Sequence, residues 1–167
     1  ESPLDVAKRF FYLRKTCSRG MLRYNKSGHF NIPFGRYKKI NFSDLLDGRY
    51  EKLLRNTTIH NTSFEPMFTK YNDENNFFFL DPPYDCVFNN YNGNAFDKEN
   101  HQLLFDKFSK TKNKCLLILN KTDFLVNLYK NYIFDEYEQQ YSFKLHSGRV
   151  KSVVPNKHLI ICNYSSL

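Results

Sequence analysis

A carboxylate, two prolines and a phenol stand together at Asp81, Pro82, Pro83 and Tyr84, directly after an apolar run. The Asp81 carboxylate can accept hydrogen bonds, and the backbone carbonyls of the prolines can do the same with no competing N–H group beside them. Two such acceptors would hold both N–H groups of an amine on a planar base and free the lone pair that is otherwise delocalised into the ring. Tyr84 supplies a flat face on which such a base can stack.

This chemistry has a requirement and a competing interpretation. A base inside a duplex reaches such a pocket only if it flips out of the stack, and nothing in the tetrapeptide calls for a metal or a covalent intermediate. The competing interpretation is structural, because Asp-Pro commonly opens a turn and a following Tyr can simply pack. The residues that precede the tetrapeptide favour the functional interpretation.

The apolar run at residues 77–80, Phe-Phe-Phe-Leu, predicts a strand that is covered on both faces, as in a parallel α/β sheet. The prolines must end that strand, since they cannot donate to a ladder and they restrict the residue before them. Ligands of open α/β sheets bind at the carboxyl ends of strands. We therefore expect Asp81 to belong to a rigid, strand-mounted site.

The other elements must position this site. Val6, Phe10 and Leu13 share one face of a helix predicted over 4–16, and residues 26–28 are expected to turn a hairpin with arms at 22–24 and 30–32. Asp97 and Thr122 are expected to cap two helices. The apolar positions of these two helices are Leu104, Phe105 and Phe108 in the first and Leu125, Leu128, Tyr129 and Tyr132 in the second.

Further strands and loops complete the prediction. We expect a helix over 43–54, a short strand at 57–60, a buried strand at 115–119 and two final strands near 137–145 and 157–164. A polar loop at 85–94 is long enough to suggest a function over the site, and a basic turn with Arg149 and Lys151 separates the last two strands. Together they describe part of an α/β sheet with an antiparallel edge.

Composition bounds the class of protein. The chain has 167 residues, enough for one domain with a real core, and no apolar run approaches the length of a membrane span. Its polar start shows no signal-peptide pattern. Cys17, Cys86, Cys115 and Cys162 lie far apart, which favours free thiols of a reducing compartment, such as the cytoplasm or the nucleoid, over disulfides or zinc.

The net charge of +8 is concentrated in one segment. No Asp or Glu occurs between Val6 and Ser43, whereas ten Lys and Arg residues do, so the rest of the chain carries −2. Cations interleaved with aromatic residues are typical of a surface that binds a polyanion. A solvated basic face is the alternative, and an anionic membrane is disfavoured because Gly and Pro interrupt any amphipathic helix.

The segment Asp81 to Tyr84 resembles the catalytic motif of Dam-type, D12 class DNA adenine-N6 methyltransferases. Residues 20–39 resemble the target-recognition hairpin of that family, residues 115–123 the strand and turn after its catalytic motif, and residues 147–151 and 158–161 its closing basic turn and strand. The resemblance implies an α/β fold with a partial class I, Rossmann-like methyltransferase sheet, an antiparallel terminal hairpin and a small helical and hairpin target-recognition segment. It implies a DNA-binding segment over 1–56 and a catalytic-motif part over 57–167.

The resemblance also implies roles for individual residues. Asp81, Pro82, Pro83 and Tyr84 would form the catalytic set, in which Asp81 and the Pro83 carbonyl hold the adenine N6 amine and Tyr84 stacks on the flipped ring. Asp81 would also approach the methyl donor, S-adenosylmethionine. Arg23 corresponds to a guanine contact, which suits a bidentate Arg. The other DNA-binding positions are base contacts at Met21 and Pro33, phosphate contacts at Lys26, Arg36, Lys38 and Lys39, and Asn25 and Tyr37; Asn120 and Asp123 match a polar cluster near the site.

Two departures from the family pattern bear on activity. Ser18 stands where an aromatic wedge is frequent, and no glycine-rich loop follows a strand to cradle the donor's methionine end. The resemblance implies double-stranded DNA as a partner. The chain is then expected to be a C-terminal portion of a longer enzyme, or a half that pairs with a separate N-terminal half or cofactor-binding chain. A catalytically inactive DNA-binding relic is the alternative.

A second alternative is an enzyme that acts on RNA or on another base amine. Such enzymes usually carry Asn or Ser at the first motif position, so Asp81 favours DNA adenine. A GATC-like target and a viral or phage origin are further hypotheses.

Overall fold

A computed structural model describes the structure of residues 1–85, 96–142 and 153–165. The chain divides into two compact units, Glu1–His60 and Asn61–Leu167. The loop expected at 85–94, apart from Asp85, and the basic turn with Arg149 and Lys151 lie outside the described residues, as does Cys86.

The first unit begins with helix α1 (Pro3–Thr16), close to the predicted bounds. The Ser2 side chain caps the helix by accepting from the Asp5 N–H, and Pro3 occupies the first helical position, where its missing N–H costs nothing. A 3₁₀ turn (Ser18–Gly20) follows. Residues 33–35 then lie against the end of α1, because the Ser18 N–H donates to the Pro33 carbonyl at 2.8 Å and the Gly35 N–H to Thr16 at 2.8 Å.

Two predictions for this unit need correction, and a third is confirmed with a qualification on burial. The helix expected over 43–54 is a 3₁₀ turn (Ser43–Leu46) followed by α2 (Gly48–Arg55), since Asp47 stops the first and caps the second. The strand expected at 57–60 is wrong: the Thr57 N–H bonds to the Leu54 carbonyl, as at a helix end, and no ladder forms there. Val6 and Phe10 share a face as predicted, but that face is exposed within the unit.

The second unit is built on a four-stranded sheet in the order β1-β2-β4-β3. Strand β1 (Phe77–Leu80) runs parallel to β2 (Lys114–Asn120), whereas β4 (Val153–Cys162) is antiparallel to both β2 and β3 (Ile133–Ser142). The predicted α/β class with an antiparallel terminal hairpin is confirmed, although β3 and β4 each begin about four residues earlier than the pattern suggested.

Three helices cover one face of this sheet. Helix α3 (Glu65–Lys70) was not predicted, whereas α4 (Lys98–Lys110) and α5 (Asp123–Tyr129) begin at the expected caps. Asp97 accepts from the Asn100 N–H at 2.9 Å and Thr122 from the Leu125 N–H at 3.3 Å. Tyr132 lies beyond the end of α5. The core beneath these helices consists of the following fully or almost fully buried residues: Phe68, Leu104, Phe108, Cys115, Leu117, Leu119, Leu125, Tyr129, Leu159 and Ile161.

The opposite face of the sheet is not covered in this way. Phe77 and Phe79 are 56% and 61% exposed, whereas their neighbours Phe78 and Leu80 point towards the helices. The prediction of a strand covered on both faces is therefore wrong for the described residues. Side chains alternate along a strand, and only one of the two faces has helices packed on it here.

His101 on α4 is a buried ring whose protonation the fold opposes. It is fully buried between Phe96, 4.8 Å away between ring centroids, and Phe124, and its ring nitrogens have no hydrogen-bond partner among the described residues. Burial lowers the pKa of His101 below its ordinary 6.5, and the charges of Asp85 and Asp97 offset part of that shift. The folded protein thus holds this ring neutral.

We expect the free energy of unfolding of this unit to fall as the pH drops below about 6.5. Below that pH, His101 binds a proton in the unfolded chain but stays neutral in the folded chain. Above that pH the ring is neutral in both states and contributes no slope. Replacing the ring by an apolar side chain, His101→Leu, should flatten this part of the curve. Urea unfolding between pH 7.5 and 5 measures it, with the exposed His29→Gln as control; equal slopes in His101→Leu and the unaltered chain would contradict the assignment.

Candidate functional site

The tetrapeptide from Asp81 to Tyr84 leaves the sheet at the carboxyl end of β1, as the sequence predicted. The ladder between β1 and β2 ends at the pair Leu80 and Leu117. Asp81 and Pro83 are exposed, whereas Pro82 and Tyr84 are half-buried. A carboxylate and a proline carbonyl therefore stand at the sheet's edge with access from outside.

A pocket of about 270 Å³ opens beside this tetrapeptide. It is close to the lower end of the size range of small-ligand pockets, about 300 Å³. Phe64 and Phe96, whose rings are 6.0 Å apart, form part of its wall, so a polar group at the rim is combined with apolar sides. The full lining is Phe64, Phe79, Leu80, Asp81, Pro82, Pro83, Phe96 and Leu104.

Tyr84 turns back onto the end of the sheet. Its ring meets the fully buried His158 of β4 edge-on, at 5.3 Å between centroids and an interplanar angle of 63°. His158 in turn stacks on Tyr137 of β3 at 4.9 Å and 14°. The phenol thus has an aromatic support beneath it, a contact worth about 0.5–1.5 kcal/mol beyond burial.

Asp85, the next residue, is bound to the end of β2. Its N–H donates to Asn120 Oδ1 at 2.9 Å, and Asn120 Nδ2 donates to the Asp85 carbonyl at 2.9 Å. The Thr122 hydroxyl donates to the Asp85 carboxylate at 3.1 Å. The polar cluster expected around Asn120 is therefore real, but the partner is Asp85, and Asp123 serves as the first residue of α5.

The described residues offer little for other chemistry. They contain no group of three His, Cys, Asp or Glu side chains placed to hold a metal. Their glycines, Gly20, Gly28, Gly35 and Gly48, all belong to the first unit, so none follows β1 or β2. Among the described residues, no glycine turn therefore follows a strand of the second unit.

The hairpin expected around residues 26–28 is reduced to a single bridge between Tyr24 and Phe30. Asn25 forms its turn, since Asn25 Oδ1 accepts from the Ser27 N–H at 3.0 Å and from the His29 N–H at 2.9 Å. Arg23 is exposed, and its Nε donates to Asn31 Oδ1 at 3.0 Å. This bond orients the guanidinium by its inner nitrogen.

The basic residues of this segment differ in their partners. Lys8, Arg9 and Lys15 each pair with a carboxylate at the segment's borders, Asp5, Glu1 and Asp44. In contrast, four exposed cations of the segment have neither an ion pair nor a side-chain hydrogen bond in the part of the chain that the structure describes: Lys26, Arg36, Lys38 and Lys39. These four are the ones that the sequence assigned to phosphates.

The remaining candidates surround the end of α1. Met21 is 46% exposed and Pro33 is exposed, so both offer apolar surface. The Tyr37 hydroxyl donates to the Cys17 carbonyl at 3.3 Å, and its ring packs so closely on Gly35 that a Cβ there would clash. Tyr37 therefore shapes this loop while leaving part of its ring outside.

Sequence reasoning missed the groups that support the tetrapeptide. His158 was noted as part of a strand and Asn120 without a partner, and neither Phe64 nor Phe96 was assigned to a site. An Asn at the carboxyl end of a predicted strand was the available signal for Asn120. For the two phenylalanines, nothing in the local pattern separates a pocket wall from a core position.

The comparisons with known proteins point in one direction. The model of a family described as D12 class N6 adenine-specific DNA methyltransferase matches residues 2–145. The Type II methyltransferase M.CviBI of Paramecium bursaria Chlorella virus NC1A is 54% identical over 164 residues, which is 98% of this chain and 63% of that protein. The retron Ec67 DNA adenine methylase of Escherichia coli is 29% identical over 146 residues, 86% of this chain and 51% of the relative.

The chain thus spans about half to two thirds of the length of these relatives. A DNA adenine methylase of Vibrio cholerae is 35% identical over 108 residues, 61% of this chain and 38% of the relative. The family match covers the recognition segment and the tetrapeptide alike. The chain therefore belongs to the D12 class of N6 adenine-specific DNA methyltransferases.

Proposed function

We propose that this chain is the DNA-recognition and base-binding portion of a site-specific, S-adenosylmethionine-dependent DNA adenine-N6 methyltransferase. The observation that carries the proposal is the exposed Asp81 carboxylate at the carboxyl end of β1, beside an apolar pocket that Pro82 and Pro83 help to line. Family membership supports the same reaction. The Type II name of the viral relative supports a restriction-modification context.

Asp81 and the proline pair act on the amine of a flipped adenine. The carboxylate accepts a hydrogen bond from one N6–H group, and the Pro83 carbonyl accepts a hydrogen bond from the other. These two hydrogen bonds draw the nitrogen away from planarity and make its lone pair available to an electrophile. Acceptors that are already in place stabilise the developing positive charge without reorganisation. Tyr84 stacks on the ring, and the apolar wall excludes water from it.

S-adenosylmethionine would supply the electrophilic methyl group. The described residues do not by themselves complete a site for it, because no glycine turn follows a strand in the second unit. In this proposal a further part of the enzyme, in the same polypeptide or in a separate chain, would supply that turn. The outer edge of β1 pairs with no other described strand, and Phe77 and Phe79 of β1 are exposed, which supports a strand-bearing partner of this kind.

Double-stranded DNA is the proposed partner of the first unit. Lys26, Arg36, Lys38 and Lys39 are exposed and have no carboxylate partner among the described residues, as phosphate-binding cations require. Arg23, whose inner nitrogen is already bound by Asn31, would present its outer nitrogens to a guanine. Met21, Asn25, Pro33 and Tyr37 would line the same contact.

A reducing compartment, the cytoplasm or the nucleoid, is the proposed location. Cys17, Cys115 and Cys162 are free thiols, and burial raises the pKa of Cys115 to about 12. None of the helices in the described ranges is long and apolar enough to cross a membrane. The viral relative supports a viral or phage origin.

We expect Asp81→Ala to lower methyl transfer by the complete enzyme about 10²-fold or more, because the variant loses a charged acceptor for the amine. Transfer of labelled methyl groups to adenine in duplex DNA measures this. The affinity of the variant for duplex DNA should remain within about twofold of that of the unaltered enzyme, since the proposed phosphate contacts lie in the first unit. Glu74→Gln, which replaces an exposed acid elsewhere, is the control for both measurements. Absence of transfer by the unaltered complete enzyme would instead favour a DNA-binding relic.

The phosphate contacts have a separate test. Replacing Lys38 or Lys39 by Ala should reduce the slope of log affinity against log salt by about one unit each, because each phosphate contact releases about 0.9 of a counterion. Fluorescence anisotropy of a labelled duplex at several salt concentrations gives the slope. Lys112→Ala, an exposed cation of the second unit, should leave it unchanged. Unchanged slopes in both recognition variants would remove these lysines from the contact.

A further inference from the structure

Asn120 binds Asp85 in a way that leaves no freedom of orientation. The side-chain amide is 7% exposed, and it closes a ring of two hydrogen bonds with the backbone of one residue, both at 2.9 Å. A carboxamide carries one acceptor and one donor group in a plane, which matches a backbone N–H and C=O. A flipped amide would face N–H with N–H and oxygen with oxygen, so only this arrangement satisfies both.

Thr122 adds a third point of attachment. Its hydroxyl donates to the Asp85 carboxylate at 3.1 Å and accepts from the Leu125 N–H at 3.3 Å. The same side chain thus caps α5 and binds the residue after the tetrapeptide. Asp85 is tied to a strand end and to a helix start at once.

His158 lies directly opposite Asn120 in the antiparallel ladder of β2 and β4. It is fully buried, with the ring of Tyr84 on one side at 5.3 Å and that of Tyr137 on another at 4.9 Å. Two facing residues of neighbouring strands therefore contact two consecutive residues of the chain, one through the backbone and one through a ring.

The tetrapeptide is consequently fixed at both ends to one strand. Leu80 pairs with Leu117 of β2, and Asp85 is bound by Asn120 of the same strand. Only four residues lie between these points, and Pro82 and Pro83 fix the φ of two of them. Little freedom remains for the Pro83 carbonyl or for the plane of the Tyr84 ring.

We propose that Asn120 and His158 are positioning residues, which together hold the Pro83 carbonyl and the Tyr84 ring in the geometry that receives the base. This inference rests on the proposed function and assigns residues that do not themselves contact the substrate. A displacement of about 1 Å at reacting groups lowers rates by about 10²-fold. The loss of either support should therefore reduce turnover more than binding.

Activity of the complete enzyme tests the inference, with its methylated sequence mapped beforehand on plasmid DNA. We expect Asn120→Ala and His158→Ala to lower kcat at least tenfold, measured well below Tm, with KM for duplex DNA within about threefold. His158→Phe keeps a ring between Tyr84 and Tyr137 and should restore most of kcat. A His158→Phe variant as poor as His158→Ala would overturn the ring-support role.

The chain offers a matched control for lost stability. Asn113 is also a buried amide, 1% exposed, that precedes β2 and accepts from the Asp73 N–H at 2.8 Å, far along the strand from the tetrapeptide. Asn113→Ala should lower Tm as Asn120→Ala does and yet keep kcat. Equal kcat values in these two variants would reduce Asn120 to a structural residue.

A measurement without turnover separates this inference from the proposed function. Amide hydrogen exchange of the Asp85 N–H, followed by NMR on the complete enzyme without DNA, should be slow in the unaltered protein and in Asn113→Ala, and at least tenfold faster in Asn120→Ala. If exchange changes in this way but neither the unaltered enzyme nor any variant transfers methyl groups, Asn120 still holds Asp85 in place and the proposed methyltransferase function is rejected. Unchanged exchange in Asn120→Ala would reject the anchor itself.

Discussion

Two prolines at the end of β1 impose the constraint on which the second unit depends. Pro82 and Pro83 have no N–H to offer, so the parallel ladder with β2 cannot continue past Leu80. The chain has to leave the sheet at this point, where it contacts Asn120 at the end of β2 and His158 within β4. The positions of the Asp81 carboxylate, the adjacent pocket and the Tyr84 ring all follow from the point at which the chain leaves the sheet.

Local signals in the sequence were sufficient for much of this unit. The bounds of β1 follow from an apolar run and a proline stop, and the starts of α4 and α5 follow from Asp97 and Thr122, because a cap acts within one turn. Helix α3, with six residues, was too short to show a period. The segment 57–60 has β-branched residues but no partner strand, and propensity alone does not make a ladder.

Features that depend on distant residues could not be predicted. An unbroken apolar run such as Phe77 to Leu80 does not show whether one face of the strand or both faces are covered, because burial depends on which other elements pack on the strand. The bond between Asp85 and Asn120 joins residues 35 positions apart. The motif itself was visible in the sequence, but its supports were not, because they come from strands that only the fold brings together.

The position of β1 at the edge of the sheet bears on aggregation. Phe77 and Phe79 are exposed residues of this strand, whose outer backbone groups have no ladder partner among the described residues. Such an edge is a template on which any extended apolar segment can add. A strand paired at this edge would cover those backbone groups, whereas an edge left uncovered favours aggregation.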